Sequence, residues 1–218
     1  EAAHVFVSTG GTDPYNITEY LLRTIYDCKH CLDMQSTYHT YPFEYPDMAR
    51  LQSLHYHIVT SRANLHYGNL VTMEANNPHI HIHENVTDMA SLMASCDLAI
   101  SAGGTTLSEL CAVGVPAISY LMADNQRTAV ETFAAKGIIP CAGDIRPAQI
   151  HDFASQSSEI LKISSSGELL SASVINNILQ FMTSMSENKE MRQKSSHAMR
   201  AFLDGCGARR IADALLAI

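Results

Sequence analysis

A Rossmann-like, doubly wound parallel sheet of six strands, followed by a helical C-terminal extension, is the α/β fold class that this 218-residue sequence predicts. Three observations predict it. Short β-type runs alternate with helical patterns over residues 1–143, which implies parallel pairing through right-handed crossovers. Two of these strands run into glycine-rich turns, Ser8-Thr9-Gly10-Gly11-Thr12-Asp13-Pro14 and Ser101-Ala102-Gly103-Gly104-Thr105-Thr106-Leu107-Ser108-Glu109. Residues 144–218 then carry helical patterns alone. The expected strand order, three-two-one-four-five-six, sets both turns side by side at the carboxyl edge of the sheet. That switch point is where open α/β sheets bind ligands.

The first strand is His4-Val5-Phe6-Val7-Ser8. After its turn, Asp13 is expected to cap a helix with Pro14 in its first position, and Ile17, Leu21, Leu22 and Ile25 supply the apolar stripe. Residues 36–48 are rich in aromatics, include two prolines and lack periodicity, so they read as an irregular excursion. A second strand falls at Tyr56-His57-Ile58-Val59-Thr60, with a helix over residues 63–75. The third is His79-Ile80-His81-Ile82-His83, with a helix over residues 87–95. The fourth, Asp97-Leu98-Ala99-Ile100-Ser101, feeds the second glycine turn and a helix to about Val113. The fifth is Pro116-Ala117-Ile118-Ser119-Tyr120. Asp124 should then cap a helix that carries Ala129, Val130 and Phe133 and ends at Gly137. The sixth strand is placed at Ile138-Ile139-Pro140-Cys141. Beyond Asp144, one stripe runs through Val174, Ile178, Phe181, Met182 and Met185, and another through Met191, Ala198, Phe202 and Leu203. Ile211, Leu215 and Ile218 mark a last helix. The methionines read as core filling. The serine stretches at 155–158 and 164–166 are too short to be linkers.

Composition excludes several classes. The net charge is −8, with 14 Lys and Arg and no basic cluster, so neither nucleic acid nor an anionic membrane is an expected partner. No apolar run reaches the roughly 18–20 residues that span a bilayer. The amino end has no signal-type core, and a cytoplasmic protein is expected. Cys96, Cys111 and Cys141 lie in apolar segments and read as buried thiols. Cys28-Lys29-His30-Cys31 matches C-x-x-C but falls at a predicted helix end, where the dipole does not acidify a thiol, and no second pair exists for zinc. His79, His81 and His83 share one face of a predicted strand. A metal site competes with a structural reading there. The structural reading is favoured on the expectation that helices cover an interior strand on both sides. No metal and no cofactor are expected.

The two turns carry the chemistry. Without Cβ atoms, Gly103 and Gly104 let a diphosphate lie against the main chain. Thr105 and Thr106 open the following helix and offer free N–H groups, with the positive end of the helix dipole aimed at the ligand. Glu109, placed in the first helical turn, has two readings. Its carboxylate could accept from a ribose diol, or Thr106-x-x-Glu109 could be a capping box closing on itself. Gly10, Gly11 and Thr12 alone could form merely a tight connection. Neither turn is a G-x-G-x-x-G fingerprint or a P-loop.

The run Val86-Thr87-Asp88-Met89-Ala90-Ser91-Leu92-Met93, the segment from Cys96 to Leu110, Gly114-Val115-Pro116 and Asp124-Asn125-Gln126 together resemble the C-terminal domain of GT-B proteins. The likeness is nearest to the UDP-sugar hydrolases of pseudaminic acid biosynthesis and the spore-coat polysaccharide proteins, and more distant to the lipid II N-acetylglucosaminyltransferases. It is specific over residues 86–143 and weak over residues 144–188. The resemblance implies UDP or a UDP-sugar as ligand. It places the backbone of Val86, with Met89, at the uracil, and Gly103, Gly104, Thr105 and Thr106 on the diphosphate. Glu109 falls on the ribose, Asn125 and Gln126 on the sugar, and Gly10, Gly11 and Thr12 across the diphosphate. It further implies a nucleotide-sugar-binding domain over residues 1–143 with a helical extension over 144–218, and a preceding N-terminal domain, missing from this sequence, that carries the catalytic group. The activity implied is release of UDP by a nucleotide-sugar hydrolase in surface polysaccharide biosynthesis. Donor binding for a glycosyltransferase, or a non-catalytic binding module, are the alternatives.

Overall fold

The computed structural model describes residues 1–27, 46–146 and 167–216. Six strands, β1 (His4–Ser8), β2 (His55–Val59), β3 (Ile80–His83), β4 (Leu98–Ala102), β5 (Ala117–Leu121) and β6 (Cys141–Asp144), form one parallel sheet. Their order is β3-β2-β1-β4-β5-β6, as the alternation predicts. Ser8 stands opposite Val59 on one side and Ser101 on the other, so β1, β2 and β4 release the chain at a common edge.

The described helices are α1 (Ile17–Tyr26), α2 (Met48–Gln52), α3 (Tyr67–Asn76), α4 (Met89–Ala94), α5 (Thr105–Val113), α6 (Arg127–Ala135), α7 (Gly167–Glu187), α8 (Lys189–Phe202) and α9 (Gly207–Leu216). Every residue of β4 and β5 is buried, the pattern of parallel strands covered on both faces. On one face Val5, Val7, Tyr56 and Ile58 meet Leu21 and Leu22 of α1 and Ile178 and Met182 of α7. On the other, Phe6, Ala99 and Ala117 meet Leu107 and Leu110 of α5, Val130 and Phe133 of α6 and Met199 of α8. The helices after Asp144 thus complete both cores of the sheet. Helix α9 is the exception, with Ile211 and Leu215 about two-thirds exposed.

Local expectations shift in five places. Helix α1 starts at Ile17, not at Pro14, because Asp13 and Asn16 both take left-handed backbone, with φ of 39° and 53°. Asp13 still caps, but from four and five residues back: its carboxylate accepts from the N–H of Ile17 and of Thr18. Helix α3 starts at Tyr67, after turns over residues 61–66. The side chain of Asp124 caps nothing, and a 3-10 turn, Asp124–Gln126, precedes α6. Strand β6 lies three residues later than placed, since Ile138 and Ile139 fill the second core instead. Last, β3 is an edge strand, so His79, His81 and His83 are partly exposed and not sealed between helices. The Cys28/Cys31 pair, residues 36–45 of the aromatic excursion and both serine stretches lie outside the described residues.

Candidate functional site

Because β1 and β4 pair directly, the two glycine turns emerge next to each other at the carboxyl edge. Gly10 has φ of 80°, a left-handed conformation that glycine adopts without strain. Gly10, Gly11 and Thr12 are exposed, and Ser61, from the loop after β2, donates to the Gly11 carbonyl at 2.7 Å. Below them Asp13 is only 1 % exposed, and it already holds the first two helical N–H groups of α1. The first turn therefore offers its own amides but not a free helix start.

The second turn is different. Gly104 is the N-cap of α5 in extended conformation, and no side chain caps that helix. With Gly104 in that position, the third helical residue is Leu107, so Thr106-x-x-Glu109 forms no capping box. Glu109 is the fifth residue of α5, one position into the second turn of the helix, and it is exposed. Its placement in the first turn is corrected accordingly. The two glycines have separate reasons. A Cβ on Gly103 would stand 2.2 Å from Cγ2 of Val130 and 3.1 Å from Cβ of Gln126, so Gly103 lets α6 pack against the turn. A Cβ on Gly104 would meet nothing nearer than Nε2 of Gln126 at 4.0 Å, and its surface is open.

The loop after β5 closes over both turns. Gln126 lies against Gly103 and Gly104, and its Oε1 accepts from the N–H of Met122 at 3.1 Å. The Met122 methyl reaches within 3.8 Å of where a Gly10 Cβ would sit. Asn125 is exposed beside Gln126. Val86 lies in the loop after β3, and Met89 is the first residue of α4, whose amino end is capped by Asp88. The fold thus gathers Gly10, Gly103, Gly104 and Gln126 around one point, with Thr105, Thr106 and Glu109 on the helix that leaves it. Val86 and Met89 follow β3, two strands away from β1.

Sequence reasoning missed the residues that brace this edge. Ser61 and Met122 carry no motif and act only through the turns they touch. Arg146 pairs with Asp124 and Asp144, and Arg127 with Asp144 and Glu131, a charged rim around the 3-10 turn. The Arg146 hydrogen bonds, then burial acting the other way, leave the Asp144 carboxyl below its ordinary range. Glu19 on α1 is equally unannounced. Burial pushes its carboxyl up, but hydrogen bonds from Asn69, Asn16 and Arg23 outweigh it, and the net direction is down. A cleft of about 390 Å³, lined by Asp97, Pro116, Lys189, Arg192 and Arg200, lies at the opposite, amino ends of β4 and β5. Arg192 and Arg200 are engaged there by main-chain carbonyls.

Comparison with known proteins agrees with this arrangement. Residues 5–138 match the glycosyltransferase family 28 C-terminal domain. An N-acetylglucosamine transferase of Exiguobacterium sp., which its name describes as acting between UDP-N-acetylglucosamine and an N-acetylmuramyl-(pentapeptide) pyrophosphoryl-undecaprenol, is 36% identical over 81 residues, covering 35% of this chain and 23% of that protein. The spore coat polysaccharide biosynthesis protein SpsG of Bacillus subtilis is 38% identical over 60 residues, covering 28% and 18%. These matches take in less than a quarter of either relative's length. Among solved structures, MurG of Acinetobacter baumannii superposes with a TM-score of 0.56 at 14% identity, covering all of this chain and 50% of that one. The glycotransferase of kitacinnamycin gives 0.51 at 17% identity, covering 99% and 43%. At such identities these two likenesses speak for the fold alone.

Proposed function

The chain belongs to the glycosyltransferase family 28 C-terminal domain family, and on that premise we propose that it holds the UDP-sugar donor of a glycosyl transfer. The acceptor would be presented by another domain of a longer protein. One observation carries the reading: the uncapped amino end of α5, open at Gly104, stands beside the exposed Gly10–Thr12 turn across the β1/β4 pair. A diphosphate laid between them accepts from the main-chain N–H groups of Thr105 and Thr106 on one side and from the Gly11–Thr12 turn on the other. The positive end of α5 then stabilises the charge that develops on the departing UDP as the sugar leaves. Because Asp13 occupies the amides of α1, most of that stabilisation comes from α5.

Glu109 lies four residues beyond Thr105, about 6 Å along the helix axis, where a ribose follows its diphosphate. Its carboxylate makes no cap, so both oxygens are free for a pair of vicinal hydroxyls. Val86 and Met89 would flank the uracil, and Asn125 and Gln126 the sugar. The uridine assignment is supported by the donor in the name of the Exiguobacterium relative. Water could attack the same bound donor, as in a hydrolase, but neither relative above bears a hydrolase name, and transfer is the reading taken. The attacking hydroxyl and the group that accepts its proton belong to the other domain.

Calorimetry tests this. UDP is expected to bind more tightly than ADP, UMP or pyrophosphate. Glu109→Ala should weaken UDP about 10- to 100-fold, the range for a hydrogen bond to a charged group, while leaving pyrophosphate unchanged. Equal loss for both ligands, or no preference for UDP, would overturn the assignment.

A further inference from the structure

Six histidines share one face of the β1–β2–β3 half of the sheet: His4, His55, His57, His79, His81 and His83. The parallel register brings their rings together across the strands at centroid separations of 4.6–5.4 Å, with His4–His57 and His55–His79 tilted and the other pairs stacked. Three hydrogen bonds tie them diagonally. His4 Nδ1 meets His57 Nε2 at 3.0 Å, His57 Nδ1 meets His83 Nε2 at 3.0 Å, and His55 Nδ1 meets His81 Nε2 at 3.1 Å. His57 uses its two nitrogens toward different neighbours, so the lone pairs form a chain and do not converge. Among the described residues, no three His, Cys, Asp or Glu side chains are arranged to hold a metal ion.

Such a chain limits the protons it can take. A neutral imidazole has one donor and one acceptor; an imidazolium has two donors and no acceptor. The three-ring chain His4–His57–His83 keeps both bonds with one added proton when a flanking ring carries it and donates to a neutral His57, which in turn donates to the ring on its other side. A second would set N–H against N–H at 3.0 Å. The His55–His81 pair likewise accepts one. The five linked rings therefore take two protons with their bonds intact, whereas unfolded they take five, a difference of three.

We propose that this face is an acid-sensitive clasp: protonation of its histidines in mildly acidic solution breaks the ring-to-ring bonds across β1, β2 and β3 and destabilises the fold. Among the described residues, two nearby carboxylates bear on it. Asp97 accepts from the N–H of His4 at the β1 end, and Glu74 of α3, which accepts from the N–H of Ile82, favours the charged form of His83. Burial, then the neighbouring His81, His83, His4 and His55, pushes His57 down to about 4. Burial first, then neighbouring imidazoles, lowers His55 and His83 as well. The folded state thus binds fewer protons than the unfolded one below the ordinary histidine value of about 6.5. The stability is complete above that pH and is lost as pH falls toward about 4. At pH 5, His57 alone would lower the folded-to-unfolded ratio by about 30-fold at most, or about tenfold after allowing for its partial exposure.

Two measurements decide it. NMR of histidine-labelled protein, titrated from pH 8 to 4, should find His57 neutral to near pH 4 and no more than two of the five linked rings charged before the fold opens. Urea unfolding at pH 7.5 and pH 5.0 should show a lower midpoint in acid, and His57→Gln should remove at least a tenfold part of that loss. Rings that all titrate independently near pH 6.5, or an acid loss unchanged in His57→Gln, would overturn the proposal. Should that variant not fold, the wild-type titration decides alone.

Discussion

Neighbouring glycines in one turn should respond in opposite ways to the same added methyl group. In Gly103→Ala the new Cβ would lie 2.2 Å from Cγ2 of Val130, where unstrained carbon pairs stand about 3.5–4.0 Å apart. Val130 is 1 % exposed, and a β-branched residue in a helix has one strongly preferred rotamer. The clash must therefore be relieved by moving α6 or the turn. Overpacking of this kind costs about 1–3 kcal/mol, which for a domain of this size lowers Tm by about 4–8 °C at the midpoint of that range. In Gly104→Ala the nearest atom is 4.0 Å away and the backbone φ is −83°, open to any residue, so stability should change by about 0.5 kcal/mol or less. Its methyl group would instead stand in the space proposed for the diphosphate, and UDP affinity should fall. Paired urea and calorimetric unfolding of both variants checks the contrast. The double variant Gly103→Ala/Val130→Ala should recover about 1 kcal/mol relative to additivity, because the clashing methyl is gone. Equal penalties for the two glycines, or Gly103→Ala indistinguishable from wild type, would refute the division of labour.

Two further perturbations bear on the frame around the site. Asp13→Ala leaves the N–H groups of Ile17 and Thr18 without their carboxylate, and should cost about 1–2 kcal/mol in urea unfolding. Glu19→Gln removes the charge and one acceptor oxygen of a buried carboxylate that accepts from Asn16, Asn69 and Arg23, for a loss of about 1–3 kcal/mol at pH 7. Since the folded state holds that carboxyl below its ordinary value, its stabilisation is complete above that ordinary value and disappears as pH falls through the lower folded one. Unfolding midpoints measured from pH 7 to 3 should accordingly be flatter in the variant than in wild type.

The sheet was largely legible because parallel strands buried on both faces are written as continuous apolar runs, as in Leu98–Ala102 and Ala117–Leu121. What escaped was information held between distant residues. Nothing around Gly103 announces that Val130 and Gln126 will press on it. Pro14 suited a helix start, yet two left-handed residues delayed that start by three positions. Ile138 and Ile139 resemble a strand in isolation but are claimed by the core between α6 and α8, and the less apolar Cys141–Asp144 pairs instead. The second glycine turn was read correctly as a turn, whereas the choice between a capping box and a free carboxylate depended on which residue became the N-cap. That choice is set by backbone geometry at Gly104. The histidine face required the register of three strands, two of them joined across an unpatterned stretch.

β1 sits in the middle of the sheet, and Asp97, which accepts from the N–H of Ala3, lies 94 residues further along the chain. At about 5–20 residues per second, a ribosome delivers that partner roughly 5–20 s after the first strand. Throughout that interval a five-residue apolar segment has one open flank, ready to pair with any strand that arrives. Among the interior strands, the order of synthesis thus makes β1 the one that waits longest for its second neighbour.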